Sequence, residues 1–195
     1  MAQKGKLTTA NALTVEQLNH LITCLHQDRL YKWELFCLIA YCCALRASDV
    51  LKLRWADILD KEYINITEKK TKKVRSIPIN ENVKNKIKDI YNLSNRPQTG
   101  EFIVSNPKTR NPYTIKHVNE LLKTFRVKYR LKIKNFSTHS FRKTFGRMVY
   151  ETSGRSAESL ILLNTIFKHS GIQATKTYIG ITGEEIDKVF DSIKV

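Results

Sequence analysis

The sequence lacks any long apolar segment: its longest apolar run, Leu35 to Leu45, is too short to cross a lipid bilayer. Residues 1–6 contain no apolar stretch of the kind that a secretory signal carries, so we expect no signal peptide. Four cysteines are present, but none forms a CxxC pair or lies at metal-binding spacing from a histidine. We therefore expect no bound metal, reduced cysteines that pack as small hydrophobic side chains, and a cytoplasmic, nucleoid-associated protein.

Acidic residues are also scarce, with 18 Asp and Glu against 34 Lys and Arg, which gives a net charge of +16. A surface with this excess attracts polyanions and argues against an acidic partner-binding scaffold. Charge alone leaves a nucleic-acid enzyme, a ribosomal-type protein and a merely soluble basic protein open. The 195 residues can bury a core as one domain, and no internal repeat, low-complexity tract or clear linker divides them.

The spacing of apolar residues predicts a mainly α fold with a small antiparallel β-sheet, an α+β class. T-x-x-Q at 14–17 is a capping box that begins the first helix. Apolar residues nearly encircle the segment from Tyr31 to Ala44, which is typical of a buried central helix. Ser48 is predicted to cap a short helix, and the alternating segments 63–67 and 74–79 are predicted to pair as a hairpin. The remaining predicted elements are a short strand over 102–104 and helices over 80–91, 114–130, 138–150, 156–167, 171–178 and 184–193.

Residues 138 to 178 contain the side chains that point to a reaction. His139 and Arg142 lie three residues apart, so a helix projects both from one face and places a proton donor beside a cation. That pair suits a phosphoryl group, because a guanidinium donates bidentate hydrogen bonds to phosphate and keeps its proton. A second histidine, His169, is followed by Tyr178, whose phenolate can attack phosphorus without a metal. These residues predict that the protein cuts and rejoins nucleic-acid strands through Tyr178.

Four motifs occur in order along the chain. They are Ala44-Leu45-Arg46-Ala47-Ser48-Asp49, Lys70-Thr71 on the predicted hairpin before Pro78, His139-Ser140-Phe141-Arg142, and Phe167-Lys168-His169-Ser170-Gly171-Ile172 followed by Thr175 and Tyr178. With these motifs the chain resembles the catalytic domain of the tyrosine recombinase (phage integrase) family, which includes the Xer, Cre and lambda-type enzymes. The family usually has Gly where this chain has Lys168, and a lysine is expected to fit there if its φ is negative.

The resemblance implies six catalytic residues: Arg46, Lys70, His139, Arg142, His169 and Tyr178. Arg46 and Arg142 would neutralise the charge that builds on the two non-bridging phosphate oxygens. Tyr178 would be the nucleophile and form a 3′-phosphotyrosine that conserves the bond energy, so that religation needs no nucleotide cofactor. Asp49 would orient an arginine rather than react.

The leaving 5′-oxygen needs a proton, which Lys70 could deliver as general acid, with Lys72 as the alternative. His139 would accept the Tyr178 proton or help hold the phosphate, and His169 would donate a hydrogen bond to a non-bridging oxygen. Further contacts to DNA are expected from two basic groups. These are the hairpin connection, with Lys69, Lys72 and Lys73, and the helix over 114–130, with Lys116, Asn119, Lys123 and Arg126.

The resemblance also bears on organisation and partners. Residues 1–195 are expected to form a single catalytic domain with a basic lead-in over 1–12 and no N-terminal core-binding domain. The chain would then be an isolated catalytic domain or a relative of the short fimbrial phase-variation recombinases. Its expected partner is double-stranded DNA, without metal or other cofactor. The C-terminal helix, 184–195, is expected either to pack on its own domain or to dock in a neighbouring protomer of a DNA-bound tetramer.

Two other hypotheses stay open. A type IB topoisomerase resembles the same set of residues and would relax supercoiled DNA as a monomer, without exchange of partners. A non-catalytic basic DNA-binding protein would bind the duplex but form no covalent adduct with it.

Overall fold

The computed structural model describes residues 10–67 and 74–181, and this part of the chain is mainly helical with one antiparallel hairpin. The helices and strands, in chain order, are α1 (Val15–Gln27), α2 (Tyr31–Cys42), α3 (Ala47–Val50), β1 (Tyr63–Thr67), β2 (Val74–Pro78), α4 (Glu81–Leu93), α5 (Ile115–Lys128), α6 (Thr138–Thr152), α7 (Ala157–Phe167) and α8 (Ile172–Ile179). The fold class expected from the sequence is confirmed. Outside the described residues lie the predicted hairpin lysines Lys69, Lys70, Lys72 and Lys73, most of the basic lead-in, and the predicted C-terminal helix.

Polar side chains begin most of the longer helices, as the sequence predicts. Thr14 and Gln17 form the expected capping box at α1, and the Asn80 side chain accepts from the Val83 N–H at 3.0 Å at the start of α4. A side-chain oxygen bonded to a free N–H of the first turn stabilises a helix by about 1 kcal/mol. The helix boundaries that position the site therefore follow from local sequence.

Two local predictions are wrong. Ser48 does not cap a helix, because α3 already begins at Ala47 and the Ser48 hydroxyl donates to the next side chain instead. The segment 102–104 is not a strand either, since Arg54 pairs with it only through one isolated bridge at Phe102. Without a neighbouring strand to continue the ladder, a short apolar run stays irregular.

Helix α2 lies in the larger core, as its all-round apolarity predicts. It packs against α1, α4 and α6, and Phe36 meets Phe141 of α6 edge to face, with 6.1 Å between the ring centroids. The same helix buries one carboxylate, Glu34, whose oxygens lie 2.9 Å from His26 Nδ1 and 3.0 Å from Lys86 Nζ. Basic groups of α1 and α4 thus face the charge that α2 buries, which would be strongly destabilising if it were unpaired.

The hairpin pairs Tyr63 with Pro78 at one end and Thr67 with Val74 at the other. Pro78 therefore stands at the end of the ladder, where its missing N–H removes no interior hydrogen bond. The expected pairing of the two strands is confirmed.

Helices α6, α7 and α8 enclose a second, smaller core that includes the predicted nucleophile. Its buried residues are Ala44, Tyr150, Leu160, Leu163, Phe167, Tyr178 and Ile179. Gly146 of α6 lets the helices approach closely, because a Cβ there would lie 2.7 Å from the Ile179 side chain and 2.8 Å from the Phe167 ring. Across the described segments, no helix is both long enough and apolar enough to cross a membrane.

Candidate active site

Two arginines from distant parts of the chain meet at one backbone carbonyl. Arg142 lies in the first turns of α6, is buried, and donates to the carbonyls of Ala44 and Phe167, the latter at 2.9 Å. Arg46 immediately precedes α3 and is exposed, and its Nη2 lies 3.4 Å from the same Phe167 oxygen. The guanidiniums predicted to hold a phosphate are therefore side by side.

The C-terminal end of α7 explains why the carbonyl is available. After Phe167 the chain turns through Lys168, so that the N–H groups of Lys168 and His169 bond back to Thr165 and Asn164. This closure leaves the last carbonyls of the helix to side-chain donors. Arginines suit that position because a helix C-terminus carries partial negative charge.

Lys168 adopts the left-handed conformation, with a φ of +51°. The condition under which a lysine was expected to fit here, a negative φ, is therefore not met. The turn that ends α7 needs a left-handed residue, which glycine adopts without strain and other L-residues adopt at a cost of about 1–2 kcal/mol.

Tyr178 on α8 presents its ring to the other predicted catalytic residues. The ring centroid lies 4.9 Å from that of His169, 5.3 Å from that of Phe167 and 6.5 Å from that of His139. Its hydroxyl oxygen is buried and makes no hydrogen bond within the described part of the chain. Burial raises the pKa of Tyr178, while the charges of Arg142 and Arg46, and the approach of the Arg142 guanidinium to the hydroxyl at a geometry short of a full hydrogen bond, act to lower it. The hydroxyl is therefore protonated in the DNA-free protein.

Both histidines of the cluster carry a lowered pKa. His139 is exposed at the surface of α6, and its pKa is lowered by desolvation of the ring and by the charges of Lys143, Arg142 and Arg46. For the half-buried His169, burial lowers the pKa most, and Arg142 and Arg46 lower it further. Both rings are consequently neutral near pH 7 in the absence of an anion.

A model of the phage integrase family matches residues 11–185 of this chain. The chain belongs to the phage integrase family. A protein of Bacillus subtilis (strain 168) named "Probable integrase/recombinase YoeC" is 34% identical over 138 residues, which cover 71% of each protein.

The fold is also similar to those of solved recombinases of this family. The XerA recombinase superposes with a TM-score of 0.72 at 16% identity, over the whole of this chain and 68% of that one. The XerH site-specific recombinase, bound to its palindromic difH substrate in a post-cleavage complex, superposes with a TM-score of 0.71 at 14% identity, over 95% of this chain and 54% of that one. Tyrosine recombinases of this family break and rejoin DNA.

The structure brings together five of the six residues that the motifs single out. They are Arg46, His139, Arg142, His169 and Tyr178. Lys70 lies outside the described residues, as does its alternative Lys72. Asp49 lies near enough to Arg142 for its charge to raise the pKa of that guanidinium, which burial lowers to about 10. Its predicted role in orienting an arginine stays a prediction.

The predicted DNA-contacting residues of α5 differ in their surroundings. Lys116, Lys123 and Arg126 are exposed, and Arg126 also donates to the Lys134 carbonyl at 2.9 Å. The oxygen of the Asn119 amide instead accepts from the Thr138 N–H at 2.8 Å, which ties α5 to the start of α6. Their contacts to DNA stay predictions.

Three contacts around the cluster are not among those expected from the sequence. Arg75 of β2 donates to the Ile166 carbonyl at 2.9 Å, so a third guanidinium reaches the C-terminus of α7. The Arg142 guanidinium lies 4.4 Å from the Phe167 ring centroid, and Lys143 Nζ lies 5.3 Å from that of Tyr178. Lys143 is adjacent to Arg142 and Phe167 lies in the last motif, so both had a local signal, whereas nothing near Arg75 in the sequence indicated its contact with α7.

The assembled guanidiniums can bind an oxyanion close to the buried Tyr178 hydroxyl. Each guanidinium has more N–H donors than the carbonyls occupy, so both can hold a phosphate without leaving their anchors. In residues 10–67 and 74–181, no three His, Cys, Asp or Glu side chains group as a metal site requires. That Tyr178 would react without a metal stays a prediction.

Proposed function

We propose that this protein is a site-specific DNA recombinase in which Tyr178 attacks a DNA phosphate and holds the cut strand as a 3′-phosphotyrosine, without a metal or nucleotide cofactor. One observation carries the proposal: the Tyr178 hydroxyl is buried, has no hydrogen bond within the described segments, and lies beside the Arg142 and Arg46 charges. A buried polar group without a partner destabilises a fold by about 1–3 kcal/mol, and such groups call for an explanation such as a catalytic role.

The reaction conserves the number of phosphoester bonds. The Tyr178 oxygen forms a bond to phosphorus, and the bond from phosphorus to the 5′-oxygen breaks. The Tyr178 proton passes to His139, which is neutral in the free protein, and the 5′-oxygen takes a proton from Lys70. Religation reverses these steps with a 5′-hydroxyl from the same or another strand, so no external energy source is needed.

The two arginines supply electrostatic stabilisation to the transition state. Their attachment to the Phe167 carbonyl holds both guanidiniums in place before DNA arrives, so little reorganisation is needed when charge develops on the phosphate. Arg46 and His139 are exposed, and they mark the side from which a phosphate can enter. The bound phosphate would offset the cationic environment that lowers the pKa of both histidines.

The proposed partner is double-stranded DNA, and the proposed assembly is a tetramer on two duplexes within the nucleoid. The net charge of +16 supports a polyanionic partner. The likeness to XerH bound to its DNA substrate is consistent with that partner. Residues 184–195, outside the described part of the chain, are the segment that we propose to dock between protomers.

A nicked suicide duplex tests the proposal, because loss of the short cleaved fragment traps the covalent intermediate. We expect the wild-type protein to form an adduct that survives denaturing electrophoresis without added metal, and Tyr178→Phe to form none. Tyr150→Phe, a change to another buried tyrosine of the same small core, should leave the adduct intact. An adduct with Tyr178→Phe would show that the nucleophile is another residue.

A second assay separates recombination from strand relaxation. On supercoiled DNA that carries two target sites, a recombinase joins strands between the sites in a complex of several protomers. Relaxation by a monomer, with no product that exchanges partners, would support a type IB topoisomerase instead.

A further inference from the structure

Thr175 differs from other threonines in the helices of this protein. Thr124, Thr144, Thr165 and Thr177 each donate their hydroxyl proton to the carbonyl four residues earlier. Thr175, which is fully buried in α8, instead donates to the side-chain oxygen of Asn164 on α7 at 3.1 Å. The same hydroxyl oxygen lies 3.1 Å from Nδ1 of His169, in the turn between the two helices.

The direction of these bonds assigns a proton to His169. A threonine hydroxyl has one proton, and the Asn164 side-chain oxygen can only accept, so the proton of Thr175 is committed to Asn164. Towards His169 the hydroxyl oxygen can then act only as an acceptor, which requires a proton on Nδ1. In a neutral imidazole, the hydrogen bond made by one ring nitrogen decides whether the other nitrogen carries a proton.

We infer that Asn164 and Thr175 are positioning residues that hold His169 as the Nδ1–H tautomer and leave Nε2 for the reacting groups. The effect of this tautomer on catalysis rests on the proposed function, whereas the tautomer itself follows from the hydrogen bonds alone. With the neutral ring, Nε2 accepts a hydrogen bond. To donate from Nε2 to a phosphate oxygen, as the motifs imply, the ring takes up a second proton while Nδ1–H stays on Thr175.

The turn geometry supports this arrangement. The His169 N–H bonds to the Asn164 carbonyl at 3.3 Å, so Asn164 contacts both the backbone and, through Thr175, the ring of the same histidine. Ring contacts with Phe167 at 5.3 Å and with Tyr178 at 4.9 Å limit the remaining rotation of His169. The side chain is thereby oriented before any substrate binds.

Nitrogen-15 NMR of the DNA-free protein tests the tautomer directly, at an alkaline pH where the ring is neutral. The His169 signal is assigned by its loss in His169→Gln. We expect the proton on Nδ1 in the wild type and in Thr177→Val, the matched loss of an exposed hydroxyl two residues along α8. Thr175→Val removes the acceptor, and Asn164→Leu frees Thr175 to donate to Nδ1, so both should increase the Nε2–H form.

Adduct formation on the suicide duplex gives the second measurement. Thr175→Val should slow it by about 10- to 100-fold relative to Thr177→Val, with unchanged DNA affinity, while Thr175→Ser restores both the rate and the tautomer. A wild-type ring with its neutral proton on Nε2, or equal adduct rates for Thr175→Val and Thr177→Val, would overturn the inference. If the wild type forms no adduct, the proposed function fails, and the NMR measurement alone decides the positioning role.

Discussion

Removing the Tyr178 hydroxyl is expected to stabilise the protein while it abolishes strand cleavage. The oxygen is buried without a hydrogen-bond partner within the described segments, and an unsatisfied group of this kind destabilises a fold by about 1–3 kcal/mol. The charges of Arg142 and Arg46 offset part of this destabilisation, because they attract the negative end of the hydroxyl dipole. Because Tyr178→Phe keeps the ring contacts with Phe167 and His169, we expect a net gain of about 1 kcal/mol.

Tyr129→Phe is the matched control, with an expected change of the opposite sign. The Tyr129 hydroxyl donates to Asp28 Oδ2 at 2.6 Å, so its removal should destabilise the protein by about 1 kcal/mol. Urea unfolding followed by circular dichroism measures both changes, with equal m-values as the condition for comparison. In a domain of this size, 1 kcal/mol corresponds to a Tm shift of roughly 2–4 °C.

The outcome for Tyr178→Phe distinguishes two accounts of the hydroxyl. A loss of stability comparable to that of Tyr129→Phe would show that the Tyr178 hydroxyl is hydrogen-bonded in solution, and the argument from its burial would fail. A gain of stability together with loss of the covalent adduct would show that the Tyr178 hydroxyl destabilises the fold and is nevertheless required for strand cleavage.

Three further predictions concern the surroundings of this residue. Gly146→Ala should destabilise the protein by about 1–3 kcal/mol in urea and slow adduct formation, because its Cβ would lie 2.8 Å from the Phe167 ring. Lys168→Gly should raise the free energy of unfolding by about 1 kcal/mol in thermal melts, since glycine adopts a φ of +51° without strain. Burial and nearby cations lower the pKa of His139 and His169, so as the pH falls below about 6.5 the unfolded chain takes up protons before the folded one. Stability should therefore decrease from about pH 7 to pH 5, and the slope in urea titrations should be smaller in the double variant His139→Gln/His169→Gln.

Local patterns were sufficient for most of the fold, and the ordered motifs selected side chains of which the structure brings five together. The cap at Thr14 and the all-round apolarity of α2 are properties of neighbouring residues, and both predictions are confirmed. The spacing of His139 and Arg142 required only a helix to place them on one face. The ordered motifs then indicated that Arg46 and Tyr178 would lie beside His139 and Arg142. No local pattern in the segments that separate these residues predicts those contacts.

What the patterns could not predict are contacts with backbone atoms. The Phe167 carbonyl accepts from arginines 25 and 121 positions earlier, and no residue type marks a carbonyl as an acceptor. The conformation of Lys168 likewise depends on backbone hydrogen bonds that no residue type marks. Its φ is set by the turn that ends α7, in which the N–H groups of Lys168 and His169 bond back to Thr165 and Asn164, at a position where a lysine by itself favours negative φ.

These backbone contacts connect the strain at Lys168 to the position of the proposed nucleophile, Tyr178. Because Lys168 turns left-handed, α7 ends with its last carbonyls directed at side-chain donors, and Arg142 and Arg46 gather at one of them. The same turn brings the His169 ring within 4.9 Å of that of Tyr178. A single residue in an unfavourable conformation therefore contributes to the position of both guanidiniums and one imidazole. Lys168→Gly should relieve the strain and keep the turn, so the gain in stability should come without loss of adduct formation.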